Sequence, residues 1–175
     1  MNFIKRIDRA MTIVEQTIVA ICLALVTAIV FYGVINRFIL KSSLSWSEEL
    51  SRYLTIWATY VGASLGVRQG AHIGVEAFVD LLPKKARSYT NLLTYLASFV
   101  FVVFITITGI DYSLKLFTRQ LSPAMRIPMG WPYLGVPVGT GLMAVRYLLL
   151  LIQEFMHVIG CGEVGDSGDH PVLDA

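Results

Sequence analysis

Charge, cysteine and histidine are all scarce in this sequence. Of 175 residues, 14 are Lys or Arg and 12 are Asp or Glu, a charged share of 15%, against the roughly 25% usual for a soluble domain. The two cysteines, Cys22 in an apolar run and Cys161 in a polar tail, share no CxxC spacing, which excludes a disulfide framework or a zinc site. His72, His157 and His170 are scattered, so no pair is placed to hold a haem or a metal between helices. Neither a nucleophile elbow nor a phosphate-binding loop occurs, and Gly62, Gly66 and Gly70 recur at helical spacing. No basic stripe interleaved with aromatics points to nucleic acid. These absences argue against an enzyme and leave no cofactor to expect.

What remains is grease: 55% of residues are apolar, mean hydropathy is +0.66, and the charges cluster between long uncharged runs. Residues 16–36 carry no charge over 21 positions, about 31 Å of helix and one hydrocarbon thickness. Lys5, Arg6 and Arg9 precede that run as a signal peptide's would, but no small-x-small cleavage site follows it. The pattern predicts a retained helix over about 14–37.

The run Tyr53–Val67 has only 15 residues, too few to cross alone. Upstream, Ser45-Trp46-Ser47-Glu48 has the S-x-x-E form of a capping box, extending the second helix to about 46–68 with Trp46 at the interface. Within it Ala58, Gly62 and Gly66 recur every four residues, a stripe where another backbone can approach. Trp57 and Tyr60 flank that stripe. The third helix, over about 86–112, contains 23 uncharged residues from Ser88 to Ile110. The fourth, over about 131–155, begins among Pro128, Pro132 and Pro137, which predict a kinked start.

Between the second and third helices, Val75, Phe78, Val79 and Leu82 share a face over about 73–82, predicting a short amphipathic helix along the membrane surface or against protein. The expected architecture is an all-α integral membrane protein, with four transmembrane helices plus this interfacial helix in one domain over 1–156. A flexible polar tail over 157–175 follows. Four crossings put both termini on one side. Eight Lys and Arg on that side against six opposite favour cytoplasmic termini.

Arg146 is the one charge well inside an apolar run. Unpaired, it costs at least about 2.5 kcal/mol. Two outcomes are open: it snorkels to the helix end, or it holds an anionic lipid or a partner subunit's carboxylate.

The block Leu44-Ser45-Trp46-Ser47-Glu48-Glu49-Leu50-Ser51-Arg52-Tyr53-Leu54, followed by Trp57, Gly62-Ala63 and Ala71-His72-Ile73-Gly74-Val75, resembles the small membrane subunit (DctQ type) of tripartite ATP-independent periplasmic, or TRAP, transporters. Asn36-Arg37-Phe38, Asp80-Leu81-Leu82-Pro83 and Ile127-Pro128 extend the likeness, which spans about residues 10–155. The resemblance implies a bacterial inner-membrane complex. In it a periplasmic binding protein captures an organic acid, C4-dicarboxylate-like or sialic acid, and a large permease subunit carries it inward on a sodium gradient. The small subunit is then a non-catalytic scaffold whose partners are that large permease, transiently the binding protein, and membrane lipids.

By matching position, the resemblance makes Arg37, Trp46, Glu48, Glu49, Arg52, Trp57, Gly62 and His72 structural or subunit-interface candidates, joined by Gly66 from the small-residue stripe and Arg146 from the charge argument. Glu48 and Glu49 are expected to cap the second helix and to pair with Arg37 or Arg52. The competing reading is a self-assembling four-helix carrier or channel using the Ala58-Gly62-Gly66 stripe. A membrane quinone or haem oxidoreductase needs intramembrane histidines that the runs lack.

Overall fold

A computed structural model of the chain describes residues 2–42, 44–68 and 84–160. Over these residues the chain is helical: α1 (Asn2–Phe38), α2 (Ser45–Arg68), α3 (Lys84–Arg119), a single turn α4 (Gly130–Tyr133) and α5 (Gly135–Gly160). Among the described residues, three stretches are long and apolar enough to cross a membrane, Asp8–Phe38, Thr90–Arg119 and Gly130–Phe155. The expected interfacial helix at 73–82, His72, and the tail beyond residue 160 lie outside the described residues.

Two helices are longer than the uncharged runs suggest. α1 has 37 residues, about 55 Å, and takes in Asp8 and Glu15, where the charge-free run begins only after Glu15. α3 has 36 residues and runs on past Asp111 and Lys115, which form an exposed i,i+4 ion pair at 2.5 Å. Charges ended the sequence-derived helices because charges are costly in lipid; a paired charge carries less of that penalty. α1 ends where Lys41 takes a left-handed φ of 48° and the Ser42 N–H returns to the Asn36 carbonyl at 3.2 Å.

The helices contact one another in the order α1, α2, α5, α3, so α2 and α5 lie inside and α1 and α3 form the edges. The edges carry most of the exposed apolar side chains, among them Phe31, Phe101, Phe104 and Ile107 at 63–66% exposure. The interior mixes apolar side chains such as Val61 and Leu116 with polar ones: Asp8, Glu15, Ser64, Thr140, Arg146 and Glu154 are all buried. This apolar exterior around a partly polar interior is what a hydrocarbon solvent selects. Lipid accepts the apolar exterior without penalty, and any polar group must find its partner within the protein. Accordingly the hydroxyls of Thr17, Thr27, Ser51 and Thr55 donate to the carbonyl four residues back, at 2.7–2.9 Å.

Small residues set how closely the inner helices approach. A Cβ on Gly139 of α5 would lie 2.4 Å from the backbone carbonyl of Tyr60, so α5 and α2 touch backbone to backbone there. One Cβ on Gly62 would meet Val19 of α1 at an ordinary 3.6 Å, and Ala58 is buried while Ala63 is exposed. Part of the α2 stripe is therefore covered from within the chain. Val67 of α2, Val102 of α3 and Tyr147 and Leu150 of α5 form an apolar cluster, and across the α3/α5 seam Thr106 donates to the Thr140 hydroxyl at 2.9 Å.

The proline-rich start of the last helix is built in two pieces, as the sequence predicts. α4 makes one turn and Leu134 joins it to α5, with its N–H reaching the Gly130 carbonyl at 2.9 Å.

Candidate functional site

The most elaborate polar arrangement centres on Arg146, which is fully buried. On α1, Asp8, Thr12 and Glu15 stand at i, i+4 and i+7, one face of a helix. α5 brings Arg146 to that face and α2 brings Ser64. The guanidinium donates from Nη1 to Asp8 Oδ1 at 2.8 Å and from Nη2 to Glu15 Oε2 at 2.5 Å and Thr12 Oγ1 at 3.3 Å. Its Nε donates to Ser64 Oγ at 3.0 Å, and the Ser64 hydroxyl in turn donates to Glu15 Oε1 at 3.0 Å. One side chain thus ties α1, α2 and α5 together, and its planar fork is used on every nitrogen. Arg146 neither snorkels nor awaits a partner subunit's carboxylate, since its anions come from the chain's own first helix.

A second buried acid fastens a loop. Glu49, in the second turn of α2, accepts the backbone N–H groups of Ala124 and Met125 on one oxygen, at 2.8 and 3.3 Å. Its other oxygen accepts the Tyr53 hydroxyl, which comes from one turn further along the same face. The loop it holds is a tight ribbon. Ser122 N–H bonds the Ile127 carbonyl at 2.8 Å and Met129 N–H the Gln120 carbonyl at 2.9 Å, with Arg126 at a left-handed φ of 53°. Bonds from two consecutive amides to a carboxylate are charge-assisted and fix direction. The expected ion pairs of Glu48 and Glu49 with Arg37 or Arg52 are not made. The 3.6-residue period turns Glu49 and Tyr53 inward and leaves Glu48 and Arg52 exposed.

The remaining sequence-derived candidates separate by location. Trp57 lies against the α4/α5 junction, its Nε1 donating to the Trp131 carbonyl at 3.3 Å and its ring 3.2 Å from where a Gly135 side chain would begin. Trp46 sits 6.4 Å from Tyr32, ring to ring, at the α1/α2 end. Ser45 already lies within α2, and Ser47 closes the first turn by directing both its N–H and its hydroxyl to the Leu44 carbonyl. Arg37 and Glu48 face a groove between α1 and α2. Gly66 is half-buried.

Asp8, Thr12, Glu15, Ser64 and Gly139 did not emerge from the sequence as candidates. A signal for the first three was present: an acid–threonine–acid series on one helical face, and a lone intramembrane arginine needing anions. What is assembled here is a set of internal contacts. Among the described residues, no group of three or more His, Cys, Asp and Glu side chains is placed to hold a metal ion.

A family model described as "Tripartite ATP-independent periplasmic transporters, DctQ component" matches residues 26–157. The C4-dicarboxylate TRAP transporter small permease protein of Rhodobacter capsulatus is 28% identical over 173 aligned residues, covering 81% of this chain and 74% of that protein. The sialic acid TRAP transporter small permease protein of Vibrio cholerae serotype O1 is 26% identical over 171 residues, 98% of each chain. An isethionate TRAP transporter permease protein, DctMQ, of Oleidesulfovibrio alaskensis is 34% identical over 110 residues, covering 59% of this chain but only 16% of that protein.

Proposed function

The chain belongs to the DctQ family of tripartite ATP-independent periplasmic transporter components, and from that premise we propose that it is a rigid framework in the inner membrane, held against the large permease, that moves no cargo itself. The observation that carries this reading is the state of its interior charges. A transport site must offer groups that bind a solute and release it. Here Arg146 is committed to Asp8, Glu15, Ser64 and Thr12, and Glu49 to the loop amides and Tyr53. Such bonds lock helices together. The apolar edges α1 and α3 offer surface to lipid and to a neighbouring membrane protein.

The large permease is the natural neighbour, because the isethionate relative carries a stretch similar to this chain within a much longer permease. The transporter we envisage takes up an organic acid, delivered by a periplasmic binding protein and driven by a sodium gradient. The relatives named above handle a C4-dicarboxylate, sialic acid and isethionate. No chemical step is assigned to this chain.

We place α2 across the membrane as well. Its 24 residues make about 36 Å of helix. Lying between α1 and α5, it has less contact with lipid than the edge helices and can be less hydropathic than they are. Four crossings, an interfacial helix near 73–82, one domain over 1–156 and cytoplasmic termini complete the proposed topology, supported by the distribution of Lys and Arg.

Reconstitution tests the framework. The large permease and binding protein, placed in vesicles with and without this chain, should show uptake that depends on the chain. Full-rate uptake without it overturns the reading. Conduction by the chain alone as a homo-oligomer would favour a self-assembling channel.

A further inference from the structure

A groove of about 300 Å³ runs between the end of α1 and the start of α2, walled by Val30, Gly33, Val34 and Leu44 with Ser47 and Ser51 at its base. Both serine hydroxyls are spent on carbonyls one turn back, those of Leu44 and Ser47, at 2.8 and 2.7 Å. The polar side chains left to meet a guest are Arg37 and Glu48, both lining the groove and both exposed. They carry opposite charges, yet no ion pair joins them. A cation and an anion facing one apolar slot at a membrane surface complement a headgroup of the same two charges.

We propose that this groove binds one zwitterionic phospholipid whose headgroup ends in a primary ammonium, with its phosphate on Arg37 and its ammonium on Glu48. The inference rests on the membrane placement proposed above. The guanidinium fork matches phosphate oxygens, and a carboxylate accepts the N–H groups of a primary ammonium, which a quaternary ammonium lacks. The slot is smaller than a whole lipid, so the acyl chains continue along the exposed Val30, Phe31 and Val34 of α1. Trp46 and Tyr32, in ring contact beside it, are the aromatic pair expected at headgroup depth.

Native mass spectrometry of the complex with the large permease, delipidated and titrated with ethanolamine, choline and glycerol phospholipids of matched chains, tests this. The ethanolamine lipid should bind this chain on the order of tenfold more tightly than the other two, the loss of one charge-assisted hydrogen bond. Glu48→Gln should erase that preference. Arg37→Gln should weaken all three lipids, Arg37→Lys should restore part of the binding, and Arg119→Gln, exposed at the same end, should change nothing. Equal binding of the three lipids by the unaltered chain overturns the proposal. So does release of the large permease by Arg37→Gln or Glu48→Gln, which would make the groove a subunit contact. If the unaltered chain fails to bring down a large permease, the framework reading fails separately, while headgroup preference on the chain still decides this one.

Discussion

Replacing Arg146 with methionine removes the cation from a buried cluster while leaving Asp8 and Glu15 in place. Five hydrogen bonds meet at that cluster, four of them from the guanidinium, and Arg146 is fully buried. Removing one member of a buried ion pair costs about 3–5 kcal/mol, because the remaining charge keeps its desolvation penalty and loses its attraction. That range is roughly a hundred- to several-thousand-fold in the folded-to-unfolded ratio. For a chain of this size it corresponds to an apparent Tm about 6–20 °C lower. The assay is thermal unfolding of the purified chain with its large permease, followed by intrinsic fluorescence and by the loss of the monodisperse peak.

The compensated triple variant Asp8→Asn, Glu15→Gln, Arg146→Met should recover most of the loss, since neutral groups of similar shape leave no charge stranded. Arg146→Lys should fall between, keeping the charge but losing the fork that reaches Ser64 and both acids. A drop for Arg146→Met no larger than that for an exposed control such as Arg119→Gln would refute the reasoning. So would a triple variant as unstable as the single one.

Glu49→Gln should cost about 1.5–3 kcal/mol through weakened bonds to the Ala124 and Met125 amides, and hydrogen exchange should rise selectively over residues 120–129. Gly139→Ala should abolish or sharply reduce folded yield because its Cβ would lie 2.4 Å from the Tyr60 carbonyl, whereas Gly62→Ala, 3.6 Å from Val19, should fold nearly normally. Size-exclusion yield of the two variants side by side checks that contrast. A double-mutant cycle on Thr106→Val and Thr140→Val should give a coupling of about 0.6 kcal/mol, in the range of hydrogen bonds between membrane helices.

The membrane class, the helices that became α2 and α5, and the broken proline-rich start were readable because each follows from local pattern, uncharged length and proline spacing. The serine-acid motif marked the start of α2 to within a residue, but its capping bonds are not made, since Ser45 lies inside the helix and Ser47 closes the first turn. The ends of α1 and α3 were not, because a charge ends a hydrophobic run on paper, whereas in the fold Asp8 and Glu15 continue α1 by pairing with an arginine more than a hundred residues away. Arg146 was visible as an anomaly, but its partners were not, since which helix faces it depends on tertiary order. Glu49 was singled out by motif, but beside Tyr53, one turn along its own helix, its partners are two loop amides that carry no side-chain signature at all. Gly139 was hidden because nothing in the sequence shows that α5 crosses α2 at Tyr60.

The rigid-framework account is tested most directly by distances within the chain during transport. Nitroxide labels at the exposed Ile13 of α1 and Leu93 of α3, in a background lacking Cys22 and Cys161, should be measured in the complete transporter with and without sodium and substrate. The account predicts one narrow distance distribution unchanged across all states while labels on the large permease shift. A distribution on this chain that moves or splits with substrate would contradict it.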